Sequence, residues 1–136
     1  MIKVNCRCGE IELTISGDPI AQIYCHCDDC QAIHGAAYAS ESVYSKDDLS
    51  ITAGNPKSWT LKRNPRYFCD TCGTKLFIEV NGLNLRGING YLLPDGAFQA
   101  QYHMNCKFAA IPVRDSIPHY AALAPQFGGP DETVDW

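Results

Sequence analysis

Residues 10–15, EIELTI, alternate polar and apolar and set Ile11, Leu13 and Ile15 on one face, the period of a half-buried strand. Runs of similar character follow at AQIYC (21–25), AAYASESVY (36–44), LSITAG (49–54) and KSWTLKR (57–63), each ending in turn-forming residues. RYFCDTCGTKLFIEVNG then sets a Cys-x-x-Cys-Gly turn between two β-rich arms, and NLRGING and AFQAQYHM continue the strand pattern. Helix is scarce. DDCQAIHG has room for one or two turns, and DSIPHYAALAPQF holds too much proline for a long one. The tail, FGGPDETVDW, reads as an extended surface segment. With no internal repeat or linker, the 136 residues predict one mainly β domain spanning 1–136.

Composition narrows the function classes. Hydrophobic residues make up 46% and charged residues 19%, ordinary globular usage. The net charge is −4, and the eleven Lys and Arg residues are scattered, with nothing denser than LKRNPR at 61–66. A nucleic-acid partner, which needs a basic face, is not expected. Nor is a membrane partner, because no apolar run approaches the roughly 20 residues of a spanning helix. The expected compartment is the cytoplasm. Eight cysteines in a reducing compartment point to metal rather than to disulfides, and neighbours in Cys-x-Cys rarely meet disulfide geometry.

Seven of the eight cysteines fall in three clusters: Cys6 and Cys8; Cys25, Cys27 and Cys30; Cys69 and Cys72. The first and third together supply four sulfurs, enough for a tetrahedral structural zinc, and the Cys69–Cys72 turn has the layout of a zinc knuckle. The middle cluster keeps three. Three protein ligands with one position open is how a catalytic zinc site is built. Three thiolates blunt zinc as a Lewis acid, so water activation fits poorly and capture of a fourth sulfur, from a thiol cosubstrate, fits better. HMNC offers the opposite reading, because His103 or Cys106 in the fourth position would make two closed structural zincs and a protein-interaction scaffold without a reaction.

Other residues add less. His26, between two expected ligands, should point its ring away from the metal, either donating to a thiolate or exposed, with proton shuttling beside the cosubstrate as the functional alternative; His34 is similar. Asp28 and Asp29 are expected to cap local N–H groups. Arg86 could neutralise the thiolate cluster or bind a substrate carboxylate, although an exposed strand arginine is the commoner case. Trp59, Tyr38 and Phe68 are read as core or sheet-face aromatics.

The ordered set CRCGEIELTI, YCHCDDCQAIHGA, RYFCDTCGTKLF and NCKFAAIPVRDSIPHY resembles the glutathione-dependent formaldehyde-activating enzyme family along almost the whole chain. The resemblance implies an antiparallel β-tent fold. It also implies a structural zinc on Cys6, Cys8, Cys69 and Cys72, and a second zinc on Cys25, Cys27 and Cys30 that receives glutathione. HMNC and the tail are similar to a branch described as aldehyde-activating or carbon–sulfur lyase. The expected activity is therefore reversible addition of a thiol, glutathione or similar, to an aldehyde such as formaldehyde, with two Zn2+ ions, one structural and one open. A two-zinc scaffold that binds a protein partner is the alternative.

Overall fold

The computed structural model describes residues 1–136. The chain forms two compact units, each from two stretches: 1–21 with 42–98, and 22–41 with 99–136.

In the first unit, β1 (Ile2–Asn5) pairs antiparallel with β2 (Glu12–Ile15), which pairs antiparallel with β5 (Leu49–Ala53). The alternation read at 10–15 is realised: Ile11, Leu13 and Ile15 are buried. They join Val4, Tyr44, Leu49, Leu76, Phe77 and Ile88 in one core, where each fully buried large side chain contributes about 1.5–3 kcal/mol. β1 has too short an apolar pattern to be read from sequence, yet Val4 is one of its buried residues. A meander of β6 (Lys57–Leu61), β7 (Asn64–Phe68), β8 (Lys75–Val80) and β9 (Leu85–Asn89) completes this unit, with each neighbouring pair antiparallel.

In the second unit, β3 (Ala21–Cys25) pairs with β10 (Tyr102–Met104). This pair is parallel, within the mostly antiparallel arrangement expected, with His103 opposite Tyr24 and Met104 opposite Cys25. AFQAQYHM contributes only its last three residues to strand, because Gln22 draws off the rest: its side-chain oxygen accepts from the Gln99 N–H at 2.9 Å and its carbonyl from Gln101 at 2.7 Å. β4 (Ala39–Ser45) begins in this unit and ends in the first.

The one α-helix, α1 (Asp28–His34), takes two turns. Its N-cap is Cys27, whose sulfur accepts the Cys30 N–H at 3.3 Å, the place usually filled by a Ser or Asp oxygen. Asp28 and Asp29 lie in the first turn and His34 in the last, where their charges suit the helix dipole. Gly35 closes the helix in the left-handed conformation, φ 58°.

The tail lies on the surface, as expected, with none of residues 127–136 buried, and it is tied down there: Ala121 N–H donates to the Glu132 carbonyl, Val134 N–H to the His119 carbonyl, and Tyr120 bridges Thr133. The terminal Trp136 ring stands beside His26 and His119, at centroid distances of 5.3 and 4.9 Å. Trp136 is half-buried, and the contact of its ring with other rings holds an otherwise polar segment in place.

No helix is long and apolar enough to cross a membrane.

Candidate metal centres

Two hairpin loops of one construction present the first four cysteines. Residues 6–11 join β1 to β2 and residues 69–74 join β7 to β8. In each, the first cysteine N–H donates to the carbonyl five residues on, Cys6 to Ile11 at 3.1 Å and Cys69 to Thr74 at 3.0 Å. In each, the glycine after the second cysteine donates back to the first cysteine's carbonyl. Gly9 at φ 84° and Gly73 at φ 78° hold left-handed conformations that a residue with a Cβ rarely takes. Cys6 and Cys69 point into the core, whereas Cys8 and Cys72 are exposed.

The four sulfurs lie within 4.8 Å of one another, with Cys6–Cys8 at 3.5 Å and Cys8–Cys69 at 3.7 Å. Tetrahedral ligands 2.3 Å from a zinc stand roughly 3.8 Å apart. The donor set and its spacing therefore fit a closed four-thiolate site. The Thr74 hydroxyl, at 3.1 Å, and the Thr74 backbone hold the Cys72 thiol down at about 5, so one member is ionised at neutral pH.

The second cluster is local. Cys25 ends β3, Cys27 caps α1 and Cys30 lies in its first turn, and the three sulfurs stand within 4.8 Å of one another. Cys25 and Cys30 are buried against Ala39, and Cys27 is half-buried. Asn105 Nδ2 donates to Cys25 Sγ at 3.4 Å, which with the Cys30 N–H on Cys27 gives two of the sulfurs a donor. Without a cation the thiols obstruct one another's ionisation. Cys27 pushes Cys25 up to about 12, and Cys25 and Cys27 push Cys30 up further, with the Glu41 charge adding to both. Three crowded thiols that cannot all ionise alone suit a bound cation, which deprotonates its ligands. The two cysteine clusters can hold metal ions.

Neither residue weighed for a fourth position is a member of the thiol triad. His103 is fully buried and both its ring nitrogens are engaged, Nδ1 with His26 Nε2 and Nε2 with Asp115 Oδ2, each at 2.8 Å. Cys106 is buried in a short 3-10 turn after β10, outside the group of sulfurs within 4.8 Å. Burial and the Asp115 charge push its thiol up to about 12.

His26 is also fully buried. Its ring is held by His103 on one nitrogen and packed near Tyr38 and Trp136, while its carbonyl accepts from Gln31 Nε2 at 2.8 Å. Burial, with the His103 and His119 charges, holds its imidazole down at about 4, so the ring is neutral at pH 7.

Arg86 is committed within the first unit. Its guanidinium donates to the Leu49 carbonyl and to Glu79 Oε1 at 3.0 Å, and stacks over Phe77 at 5.1 Å. The triad belongs to the second unit. Buried Glu79, paired also with Lys46 at 3.1 Å, explains why a half-buried strand arginine stands at this position.

Sequence reasoning missed Asp115 and His119. Asp115 sets one carboxylate oxygen against His103 Nε2 and the other against His119 Nε2, both at 2.8 Å. Asp-x-x-x-His at 115–119 was a usable signal. The intervening Pro118 argues against helix, however, and hides the pairing from a periodicity search.

Two thiol clusters able to hold metal ions, on a mainly β frame, define a cysteine-rich β protein. The sequence profile of the glutathione-dependent formaldehyde-activating enzyme family matches residues 1–108, and the chain belongs to that family. Among relatives bearing the family's name, a protein of Pyrenophora teres is 32% identical over 83 residues, 55% of this chain and 42% of its own length. One of Emericella nidulans is 31% identical over 85 residues, 57% of this chain and 43% of its own. The chain spans under half the length of these relatives. A crystal structure of a Rhodobacter sphaeroides protein superposes with TM-score 0.58 at 20% identity, covering 70% of this chain and 89% of that one, a likeness of fold.

Proposed function

We propose that this protein catalyses reversible addition of a thiol to an aldehyde, with a structural zinc on Cys6, Cys8, Cys69 and Cys72 and an open zinc on Cys25, Cys27 and Cys30. The observation that carries the reading is the triad of thiols that gathers without Cys106 or His103. The family name adds the substrates, glutathione as the thiol and formaldehyde as the aldehyde.

Cys25, Cys27 and Cys30 would hold the zinc, which would supply a position that favours the deprotonated form of a further thiol at neutral pH. In the reaction the thiolate sulfur attacks the carbonyl carbon and forms the C–S bond. The carbonyl π pair moves to oxygen, which takes up the proton that the thiol released. The reverse reaction returns that proton and breaks the C–S bond. The residues of the chain orient and tune. Asn105 Nδ2 and the Cys30 N–H bring positive dipoles to an anionic triad. A shallow surface depression lies beside α1, lined by Asp28, Gln31, Ala32, Gly35 and Ala110 among others, and its small side chains leave this face of the helix open. Rate is gained by holding thiolate and aldehyde together, where effective molarities of about 10⁵–10⁸ M are reached.

Cobalt replacement tests the reading. Glutathione added to the cobalt protein should strengthen the thiolate-to-cobalt absorption, and formaldehyde with glutathione should give the hydroxymethyl thioether. A cobalt spectrum that ignores every thiol, together with loss of the second ion in Cys106→Ser, overturns the proposal in favour of a closed two-ion scaffold.

A further inference from the structure

The second unit holds a third cluster of ligating side chains that neither thiol site uses. His103, Asp115 and His119 bring their ligand atoms within 4.8 Å of one another, and with His26 they gather three of the chain's four histidines around one carboxylate. The backbone fixes them closely. His103 N–H donates to the Pro118 carbonyl at 2.8 Å and Tyr120 N–H to the His103 carbonyl at 2.9 Å, locking the two imidazole-bearing segments side by side as a parallel bridge. His103 is fully buried and His119 nearly so, while the Asp115 side chain is 34% exposed. The cluster is thus walled on its imidazole side and open on its carboxylate side.

We infer that His103, Asp115 and His119 form a third metal site, for a divalent first-row transition ion, with His103 Nε2, His119 Nε2 and the Asp115 carboxylate as ligands and the remaining positions open to water.

Nitrogen and oxygen ligands at the usual 2.0–2.2 Å from such an ion stand roughly 2.9–3.4 Å apart. The two nitrogen–oxygen separations of 2.8 Å, one to each Asp115 oxygen, need to open by only a few tenths of an ångström, and the two ring nitrogens already stand within 4.8 Å. Two imidazoles and one carboxylate, leaving open positions, suit zinc or iron(II) and differ in softness from the all-sulfur clusters. A ligating imidazole needs a partner on its other nitrogen to fix the ring, and His103 Nδ1 has one in His26 Nε2 at 2.8 Å. With the ion on Nε2, His103 carries its hydrogen on Nδ1 and donates it to His26. Two N–H groups donating to one carboxylate account for the same distances without an ion, and the experiment must separate the two.

The full-length protein, loaded at its cysteine clusters, is titrated with Co2+ and the ions bound per chain are counted. The wild type should bind one equivalent more than Asp115→Asn or His119→Gln, and all three should show equal thiolate-to-cobalt absorption. In the wild type, Zn2+ should also move the ring ¹⁵N resonances of His103 and His119, with His103 switching to the Nδ1–H tautomer, a readout that depends on no variant. Equal equivalents in the wild type and Asp115→Asn, or ring resonances unmoved by Zn2+, overturn the site and leave a hydrogen-bonded network alone. Failure here does not touch the thiol proposal, which stands on the other cysteine-bound ion.

Discussion

Cys6, Cys8, Cys69 and Cys72 reach one point from two hairpin loops far apart in sequence, whereas Cys25, Cys27 and Cys30 lie within six residues at a strand end and a helix start. The donor atom is the same and the mechanical consequence is not. An ion in the first cluster closes a loop of some sixty residues and ties Cys6 and Cys69 into the main core of their unit, so its binding free energy is folding free energy. An ion in the second cluster closes a loop already held by β3, the Cys27 cap and α1. On the proposed reading it would add little to folding and leave its fourth position open to exchange. A thiol site can therefore serve structure or chemistry according to how far apart in sequence its ligands lie.

The largest effect is expected on breaking the first cluster. Cys69→Ser removes a buried sulfur from a site whose metal binding is worth about 10–16 kcal/mol in small zinc domains. It should cost most of the stability of the first unit together with one ion per chain. Thermal unfolding with parallel metal analysis checks this, and an unchanged melting profile with full metal content contradicts the contrast drawn above.

Arg86 sharpens the comparison. If its role is structural, Arg86→Met leaves Glu79 buried without its closest partner and costs about 3 kcal/mol, with the cobalt absorption of the triad unchanged. Acid should reveal the same network. Burial raises the Glu79 carboxyl, but Lys46, Tyr67 and Arg86 outweigh it and hold the group below its ordinary value. The folded protein thus binds this proton less readily than the unfolded chain. The stabilisation is present above about pH 4.3, the unfolded value, and is lost as pH falls through the depressed folded value. Urea unfolding of wild type and Glu79→Gln should show a gap at pH 7 that narrows toward pH 3. A gap independent of pH means the carboxylate charge is not the source.

A smaller change is expected on mild chelation. The triad ion, with three protein ligands, should leave first and without unfolding, seen as loss of one ion with far-UV circular dichroism retained. Simultaneous loss of both ions with the fold makes the two clusters mechanically alike.

The first cluster was legible in the sequence because its signal is local twice over: each loop carries its own cysteines and glycine, and the strands beside Leu13 and Phe77 announce themselves by alternation. The triad was legible for the same reason. Asp115, His119 and Trp136 were not, since what joins them is a set of isolated bridges and ring contacts between segments without periodicity. Arg86 drew attention as a lone cation in a strand, and only the fold supplies Glu79 and the Leu49 carbonyl, from strands β8 and β5, to occupy it.

The smallest effect, and the most discriminating, belongs to Cys106→Ser. The side chain is buried, with burial and the Asp115 charge keeping its thiol protonated, and it stands outside the triad's group of sulfurs. Exchanging sulfur for oxygen shortens the side chain and buries a stronger polar group, a cost of about 1 kcal/mol. Metal content and the cobalt response to glutathione should both remain at wild-type levels, because neither depends on a sulfur outside the triad. Loss of one ion in this variant identifies Cys106 as the fourth ligand, closes the site and removes the distinction between the two clusters. Retention of the ion with an undiminished thiol response leaves the fourth position to the cosubstrate, and the comparison then stands on a difference of one sulfur.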